Sequence, residues 1–374
     1  MTRDGGSALL SRFTLSLPAG GACPIVVGSG ASAEAPDHLR ASRATRCAII
    51  TDSNLERSLG APVLGRFREA GVDAAIFAFP AGERHKTRAV KETIEDRLLA
   101  AGFGRDAAIV AVGGGVTLDL AGFVAATYMR GIPLLQVPTS LLAMADAAIG
   151  GKNGVDHPLG KNLIGTLHHP AAILADTDFL DSLPDREHRT GLAEIIKAGI
   201  IRDAVLFGEM EARADALATR DRATVRVFLE RGMRLKAEIV AADDAERDLR
   251  KILNFGHTIG HALELVTDFT MSHGEAISVG MVAEAGIAVR LGLIGAAEAS
   301  RMEALLRAVG LPARLPEGVD PRRLVDATVT DKKSRGGQLE FALPAGIGVM
   351  ARTDAGYARA APRDLVLGAL DAIR

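Results

Sequence analysis

Only two cysteines, Cys23 and Cys47, occur in 374 residues, so a disulfide framework is excluded. Cys47 sits in the apolar run Cys47-Ala-Ile-Ile-Thr51, which reads as a buried strand holding a small, inert thiol. Charge of one sign is also lacking. The net charge is −2, so the overall balance favours neither nucleic acid nor an anionic membrane, and anion binding must come from local Lys and Arg clusters. No apolar run approaches the ~20 residues that span a bilayer. The opening MTRDGGSALLSRF lacks the apolar core of a secretory signal. An intracellular, cytoplasmic protein is the expectation. No internal repeat or low-complexity linker is visible.

What is present is the composition of an ordinary globular chain, 48% hydrophobic and 24% charged. The length suggests two domains at roughly 150 residues each. The first half alternates short apolar strands with helical stretches. Strands are expected at 47–52, 73–79, 106–115, 132–140 and 170–176, with helices over 53–71 and 86–102. Uniformly apolar strands separated by helices imply a parallel sheet covered on both faces. The texture changes after Leu183-Pro184-Asp185. Between about 190 and 310 the patterning is almost wholly helical, including LRKILNFGHTIGHALELV as one stretch; a strand-like QLEFALP and a last helix, RDLVLGALDAI, follow. The expected fold is therefore α/β plus all-α, with an N-terminal domain over 1–180 and a mainly helical one over 181–374.

Gly113-Gly114-Gly115-Val116 falls between an expected strand and helix, where backbone can approach a pyrophosphate and a helix N-terminus can stabilise its charge. It is not a GxGxxG fingerprint, and a tight strand-to-helix turn explains it equally well. Two features favour the nucleotide. Asp52, with Asn54, ends the first long strand, where a carboxylate can receive a ribose hydroxyl, and Asp119 lies just inside the glycine-led helix.

Three of the nine histidines, His257, His261 and His273, lie close in sequence. His257 and His261 share one helix face. Thr258 stands where a HExxH peptidase would carry its base, which argues against that class. Glu194 lies in the apolar GLAEIIKAG, where a buried carboxylate needs a partner. Lys197, three residues on, offers a structural ion pair; a Glu/His/His set would instead suit a catalytic zinc.

Lys152, Lys161, Lys197, Lys236, Arg250, Lys332 and Lys333 stand in short polar or glycine-containing contexts. Most lysines are simply solvated. The segment GGKNGVDHPLGKN, with Lys152, Lys161 and Asn162, differs, having the chemistry of an anion-holding loop. Several such cations around one metal would fit a small substrate bearing phosphate and carboxylate.

The segments GGGVTLDLAGFVAATYMRG, VPTSLLAMADAAIGGKNGVDHPLGKNLIG, GLAEIIKAGII, LRKILNFGHTIGHALE, SHGEAISVGM and DKK closely resemble the 3-dehydroquinate synthase family, in order and spacing, from about residue 50 to 345. The resemblance implies a Rossmann-like NAD-binding domain, a helical metal- and substrate-binding domain, an active site in the cleft between them, and a homodimer. It implies zinc (or cobalt) on Glu194, His257 and His273. It implies NAD on Asp52, Asn54, Glu83, Lys86, Gly114, Gly115, Val116, Asp119, Thr139, Ser140, Lys152 and Lys161. The substrate would meet Asp146, Lys152, Asn162, Lys197, Lys236, Arg250, Asn254, His261 and Lys332-Lys333, with Arg130 reaching a phosphate across the dimer. The implied reaction turns 3-deoxy-D-arabino-heptulosonate 7-phosphate into 3-dehydroquinate and phosphate. It proceeds by transient oxidation by NAD, phosphate elimination, re-reduction and aldol closure, and serves the shikimate pathway.

The chain departs from the family's usual pattern at Thr117-Leu118, at Ala147-Ala148 and at Asn153. Two rival enzymes share much of this pattern. One is a related cyclase acting on sedoheptulose 7-phosphate or an amino analogue. The other is a metal- and NAD-dependent polyol dehydrogenase, whose uncharged substrate would need neither Arg250 nor the Lys152/Lys161/Asn162 loop. A sugar phosphate lacking a carboxylate would leave Lys236 and Arg250 facing nothing.

Overall fold

The structure, a computed structural model, describes residues 10–17, 20–158, 160–329 and 339–374. The chain divides into two compact units, Met1–Leu183 and Pro184–Arg374.

The first unit is built on strands β1 (Ser11–Ser16), β2 (Ala22–Gly28), β3 (Arg46–Asp52), β4 (Asp73–Phe79), β5 (Ala107–Gly113), β6 (Leu134–Pro138) and β9 (Ala172–Asp176). They form one sheet in the order β1-β2-β9-β6-β5-β3-β4. All neighbours are parallel except β1 and β2, an antiparallel pair at one edge that the sequence pattern had not suggested. Every residue of β5 is buried, as a central strand covered on both faces requires. Alternate residues of neighbouring strands (Cys47, Ile49, Ala108, Val110, Val112, Leu135, Val137) share a core with Leu39, Val63 and Phe67 of helices α1 (Ala35–Ala41) and α2 (Ala61–Glu69). Helix α3 (Arg88–Ala100) starts at Thr87, whose hydroxyl accepts the Val90 N–H at 3.3 Å. Helix α4 (Gly115–Thr127) follows β5 directly.

The chain runs from β3 outward to β4, then returns past β3 to β5 and continues the other way. The carboxyl ends of β3 and β5 thus flank the point where winding reverses, the usual crevice for a ligand in such sheets. Asp52 ends one strand and Gly113 the other.

One expectation needs correcting. The GGKNGVDHPLGKN segment is not a loop: β7 (Lys152–His157) and β8 (Gly160–Leu167) form an antiparallel hairpin. Asn153 explains part of this. Buried, it donates from Nδ2 to the carbonyls of Gly151 (2.7 Å) and His168 (2.9 Å), tying both ends of the hairpin together.

The second unit is mainly helical: α5 (Asp185–Arg202), α6 (Ala204–Ala212), α7 (Ala214–Ala218), α8 (Arg222–Ala242), α9 (His257–Val266), α10 (His273–Arg290), α11 (Ala296–Ala308), α12 (Pro321–Val329) and α13 (Arg363–Asp371). Short antiparallel pairs join β10 (Leu339–Phe341) to β13 (Arg359–Ala361), and β11 (Pro344–Gly346) to β12 (Val349–Met350). Asp203 and Asp221 cap α6 and α8, accepting the N–H groups of Leu206 (2.9 Å) and Thr224 (2.8 Å). Helices α5 and α10 are buried nearly all round, which marks them as central.

The stretch 249–266 is not one helix. A 3₁₀ segment, Leu249–Asn254, stops before Gly256, whose φ of +78° starts α9 afresh. Close packing demands this break. A Cβ on Gly280 of α10 would fall within 2.9 Å of the Gly260 nitrogen and closer still to the Gly256 carbonyl. Among the described residues, no helix is long and apolar enough to cross a membrane.

Candidate functional site

In the second unit, three elements bring a carboxylate and two imidazoles together. Glu194 lies midway along α5, His257 opens α9 and His273 opens α10. Glycine sets the last approach. A Cβ on Gly274 would fall within 2.7 Å of the Thr190 backbone, so α10 meets α5 one turn before Glu194 only because that atom is missing. Ser272 and Glu275 form a capping box at the same helix start, and the Ser272 and Thr190 hydroxyls are 2.6 Å apart.

Glu194 Oε1 is 3.6 Å from Nε2 of His257 and 3.6 Å from Nε2 of His273. These separations are long for hydrogen bonds. They match donors sharing one ion, since a tetrahedral site with bonds of about 2.1 Å sets its ligands about 3.4 Å apart. One ligand atom from each of the three lies within 4.8 Å of the others. His257 Nδ1 sits 3.1 Å from the Phe255 carbonyl, which can only accept, so the proton belongs on Nδ1 and the Nε2 lone pair faces Glu194. The donor set therefore fits a zinc-type cation.

Two further carboxylates support this trio. Glu264, buried on α9, places Oε2 3.2 Å from His273 Nδ1. Burial disfavours charge on His273, but the carboxylates of Glu194 and Glu264 beside it outweigh burial and push the imidazole pKa up to about 10. Two buried carboxylates thus concentrate negative charge around His273. His261 lies beside it, with ring centroids 5.2 Å from His257 and 6.0 Å from His273. It also joins Glu264 and His273 in a second cluster with metal-ligand spacing. Glu284 of α10, fully buried, accepts the N–H groups of Gly256 (2.7 Å) and Ile259 (3.2 Å) at the start of α9.

Lys197 is as buried as Glu194. Its Nζ lies 2.6 Å from Glu194 Oε2 and donates to the Leu253 carbonyl at 2.7 Å. The ion pair and the histidine cluster thus coexist, on opposite oxygens of one carboxylate. Next to Leu253, Asn254 donates to Glu246 Oε1 at 2.6 Å. Arg250, buried, donates to the Asp244 carbonyl at 2.7 Å, and its own N–H is held by Asp243 at 3.0 Å. Asp243 also receives the N–H groups of Arg247 and Asp248. Burial would raise the Asp243 pKa, but these N–H donors outweigh it and lower it. Lys236 lies partly buried on α8. Lys332 and Lys333 lie outside the described residues.

In the first unit, Asp52 Oδ1 accepts the Asn54 N–H at 2.9 Å, and the buried Thr117 hydroxyl reaches Oδ2 at 3.4 Å. The glycine turn leads into α4, whose cap, Gly114, offers no side-chain partner to the first N–H groups. Beside it, the Thr139 N–H donates to the Gly113 carbonyl at 3.0 Å and the Ser140 hydroxyl accepts the Ala143 N–H at 3.2 Å. A Cβ on Gly114 or Gly115 would meet Ser140 Oγ or Ala147 Cβ at an ordinary 3.6 Å, so Ala147 lies against the turn. Leu118 is core.

Lys86, buried, bonds Asp119 Oδ2 and Asn162 Oδ1 at 2.5 Å each. Burial opposes its charge, but Asp119, Glu83 and Asp156 outweigh burial and raise the Lys86 pKa. Lys161 Nζ lies 3.4 Å from Glu83, and Asp156 accepts the Asn162 N–H at 2.9 Å. Asp146 follows Ala145 in a π-helical turn, Ala143–Ala147; Lys152, which opens β7, is exposed. Arg130 is exposed at a φ of +69°, next to Met129 at +51°.

Glu264, Glu284, Asp156 and Asp243 are not among the residues expected from sequence. Glu264 alone had a legible signal, since it follows His257 by seven residues and so shares its helix face.

Two family models match the chain: 3-dehydroquinate synthase N-terminal over residues 76–190 and 3-dehydroquinate synthase C-terminal over 191–334. A 3-dehydroquinate synthase of Synechococcus sp. is 47% identical over 313 residues, 83% of this chain and 85% of that protein. Among solved structures, a 2-deoxy-scyllo-inosose synthase complexed with carbaglucose-6-phosphate, NAD+ and Co2+ superposes with a TM-score of 0.89 at 28% identity, covering 97% of this chain and 100% of that one. A 2-epi-5-epi-valiolone synthase from Streptomyces hygroscopicus with NAD+ and Zn2+ bound gives 0.84 at 29% identity, covering 93% and 96%.

Proposed function

This chain belongs to the 3-dehydroquinate synthase family, and we propose on that premise that it converts 3-deoxy-D-arabino-heptulosonate 7-phosphate to 3-dehydroquinate and phosphate. It is then a carbon–oxygen lyase of the shikimate pathway. The observation that carries the reading is the meeting of Glu194, His257 and His273 on one small volume in a chain whose other unit ends two neighbouring strands in Asp52 and a glycine turn.

When bound, NAD+ supplies a hydride acceptor for one secondary hydroxyl and a divalent ion supplies the Lewis acidity that eases that hydroxyl's deprotonation. Glu194, His257 and His273 would hold the ion. The first N–H groups of α4 and the Gly113–Gly115 backbone would hold the cofactor's pyrophosphate, with Asp52 receiving ribose hydroxyls. Asn54, Glu83, Lys86, Val116, Asp119, Thr139, Ser140 and Lys161 complete the cofactor's surroundings. Lys86, by fixing both Asp119 and Asn162, orders that end of the site.

His261 would move a proton at the substrate oxygens beside the histidine cluster. Lys152 and Lys197 would stabilise negative charge as it develops when the proton next to the oxidised carbon is lost. Asp146, Asn162 and Asn254 would orient the substrate by hydrogen bonds. Arg250 and Lys236 would receive the carboxylate; the Asp244 carbonyl, by accepting from the Arg250 guanidinium, would keep it from swinging away. A cytoplasmic homodimer is part of the same reading, with exposed Arg130 reaching a phosphate bound by the neighbouring copy.

Likeness to the inosose synthase favours a second reading, a cyclase for a sugar phosphate without a carboxylate. The higher identity to the Synechococcus protein weighs against it. The test is phosphate release and product mass with the heptulosonate phosphate and with sedoheptulose 7-phosphate, supplied separately. Turnover of the first alone supports the proposal; turnover of the second alone overturns the substrate.

A further inference from the structure

Helices α9 and α10 each carry one histidine of the Glu194/His257/His273 trio and one buried carboxylate on the same face. On α9, Glu264 follows His257 by seven residues, close to two turns; on α10, Glu284 follows His273 by eleven, close to three. Each carboxylate is spent on the other helix. Glu264 Oε2 is 3.2 Å from His273 Nδ1. Glu284 takes the N–H of Gly256 on one oxygen (2.7 Å) and of Ile259 on the other (3.2 Å), on either side of His257.

We infer that Glu264 and Glu284 are a reciprocal pair of positioning residues that preform the metal site, an inference that rests on reading the trio as that site. Glu264 fixes which nitrogen of His273 carries the proton and turns Nε2 toward Glu194. Glu284 fixes His257 differently, by pinning the first turn of its helix. A side-chain cap from within α9 is lacking, since Gly256 occupies the cap position, so the orphan N–H groups are satisfied from α10. A carboxylate there also complements the positive end of the helix. Because each tie crosses between the helices, a shift of one helix against the other would misplace both imidazoles together. Closeness of the backbones at Gly260 and Gly280 leaves the pair little room to slip.

The test uses the full chain, stripped of metal and titrated with Co2+, whose visible absorption reports ligand geometry. Affinity is read by competition with a chelator, and the melting temperature of the metal-free protein is taken in parallel. Glu264→Gln keeps shape but removes charge, and Glu264→Asp keeps charge but withdraws it by one methylene; both are expected to lose about 10- to 100-fold in affinity, with an altered absorption band. In Glu284→Gln only one oxygen remains to accept two N–H groups. It is expected to lose affinity on the same scale and to shift the band through His257. Wild-type binding of one Co2+ with unchanged affinity and band in Glu264→Gln and Glu264→Asp overturns the inference, even if Glu284→Gln fails to fold. Failure of the wild type to bind Co2+ at all overturns the metal-site reading itself.

Discussion

Lys197 Nζ stands 2.6 Å from one oxygen of Glu194, while the other oxygen of that carboxylate faces the imidazoles of His257 and His273 at 3.6 Å each. One buried carboxylate therefore serves a lysine and a candidate cation at once. Removing the lysine's charge strands the carboxylate. Lys197→Met is expected to cost the metal-free protein about 3–5 kcal/mol, the usual result of breaking a buried pair, and added Zn2+ should recover part of it. Urea denaturation with and without metal checks this; equal loss in both conditions would mean that the ion and Lys197 do not share Glu194.

Helix spacing around the site gives a second expectation. A methyl group on Gly280 has no room against the Gly256 carbonyl and the Gly260 nitrogen. Gly280→Ala should cost about 1–3 kcal/mol by overpacking and weaken metal binding with it. Denaturant midpoints and metal titration measure the two effects. A stable variant with weakened binding would still support the geometry, whereas neither effect would contradict it.

Acid sensitivity follows from the start of α10. Burial would raise the Glu275 pKa, but two hydrogen bonds from Arg186 (2.9 and 2.6 Å) and one from the Ser272 N–H (2.8 Å) outweigh it and hold the carboxyl below its ordinary 4.5. A depressed folded-state pKa contributes stability that is present above the unfolded value and lost as pH falls through the folded one. Glu275→Gln is expected to be less stable at neutral pH and to show a shallower loss on acidification. Urea midpoints measured from neutral pH down through the carboxylate range test the slope.

Much of this was legible in the amino-acid pattern. The strand at 47–52 was plain because burial on both faces leaves an uninterrupted apolar run; 73–79, only partly buried at the sheet edge, is apolar enough to read the same way. His273 opens a helix inside the stretch whose patterning is almost wholly helical. The hairpin of β7 and β8 was hidden, because glycine and charged residues there imitate a loop and Asn153, its tether, acts through backbone carbonyls far apart in sequence. The break before α9 was hidden too. A lone glycine in a helical pattern shows its positive φ only once the helix packed against it is known. Glu284 could not be read at all, since nothing in AISVGMVAEAG tells which helix end its carboxylate will meet.

The cofactor side offers a further expectation. Asp52 is oriented by the Asn54 N–H and by the Thr117 hydroxyl. Asp52→Asn should weaken NAD+ binding about 10- to 100-fold, the scale of hydrogen bonds to a charged group. Thr117→Val should weaken it less, because the contact is long. Calorimetric titration with NAD+ gives both values, and an Asp52→Asn variant that binds as the wild type does would remove Asp52 from the cofactor's surroundings.

The most direct test counts phosphate against nicotinamide. With purified protein, a divalent metal, excess heptulosonate phosphate and NAD+ far below the substrate, a cyclase that regenerates its cofactor should release phosphate many times over the NAD+ supplied while NADH absorbance stays flat. NADH accumulating in step with substrate loss, or no phosphate at all, would contradict the account.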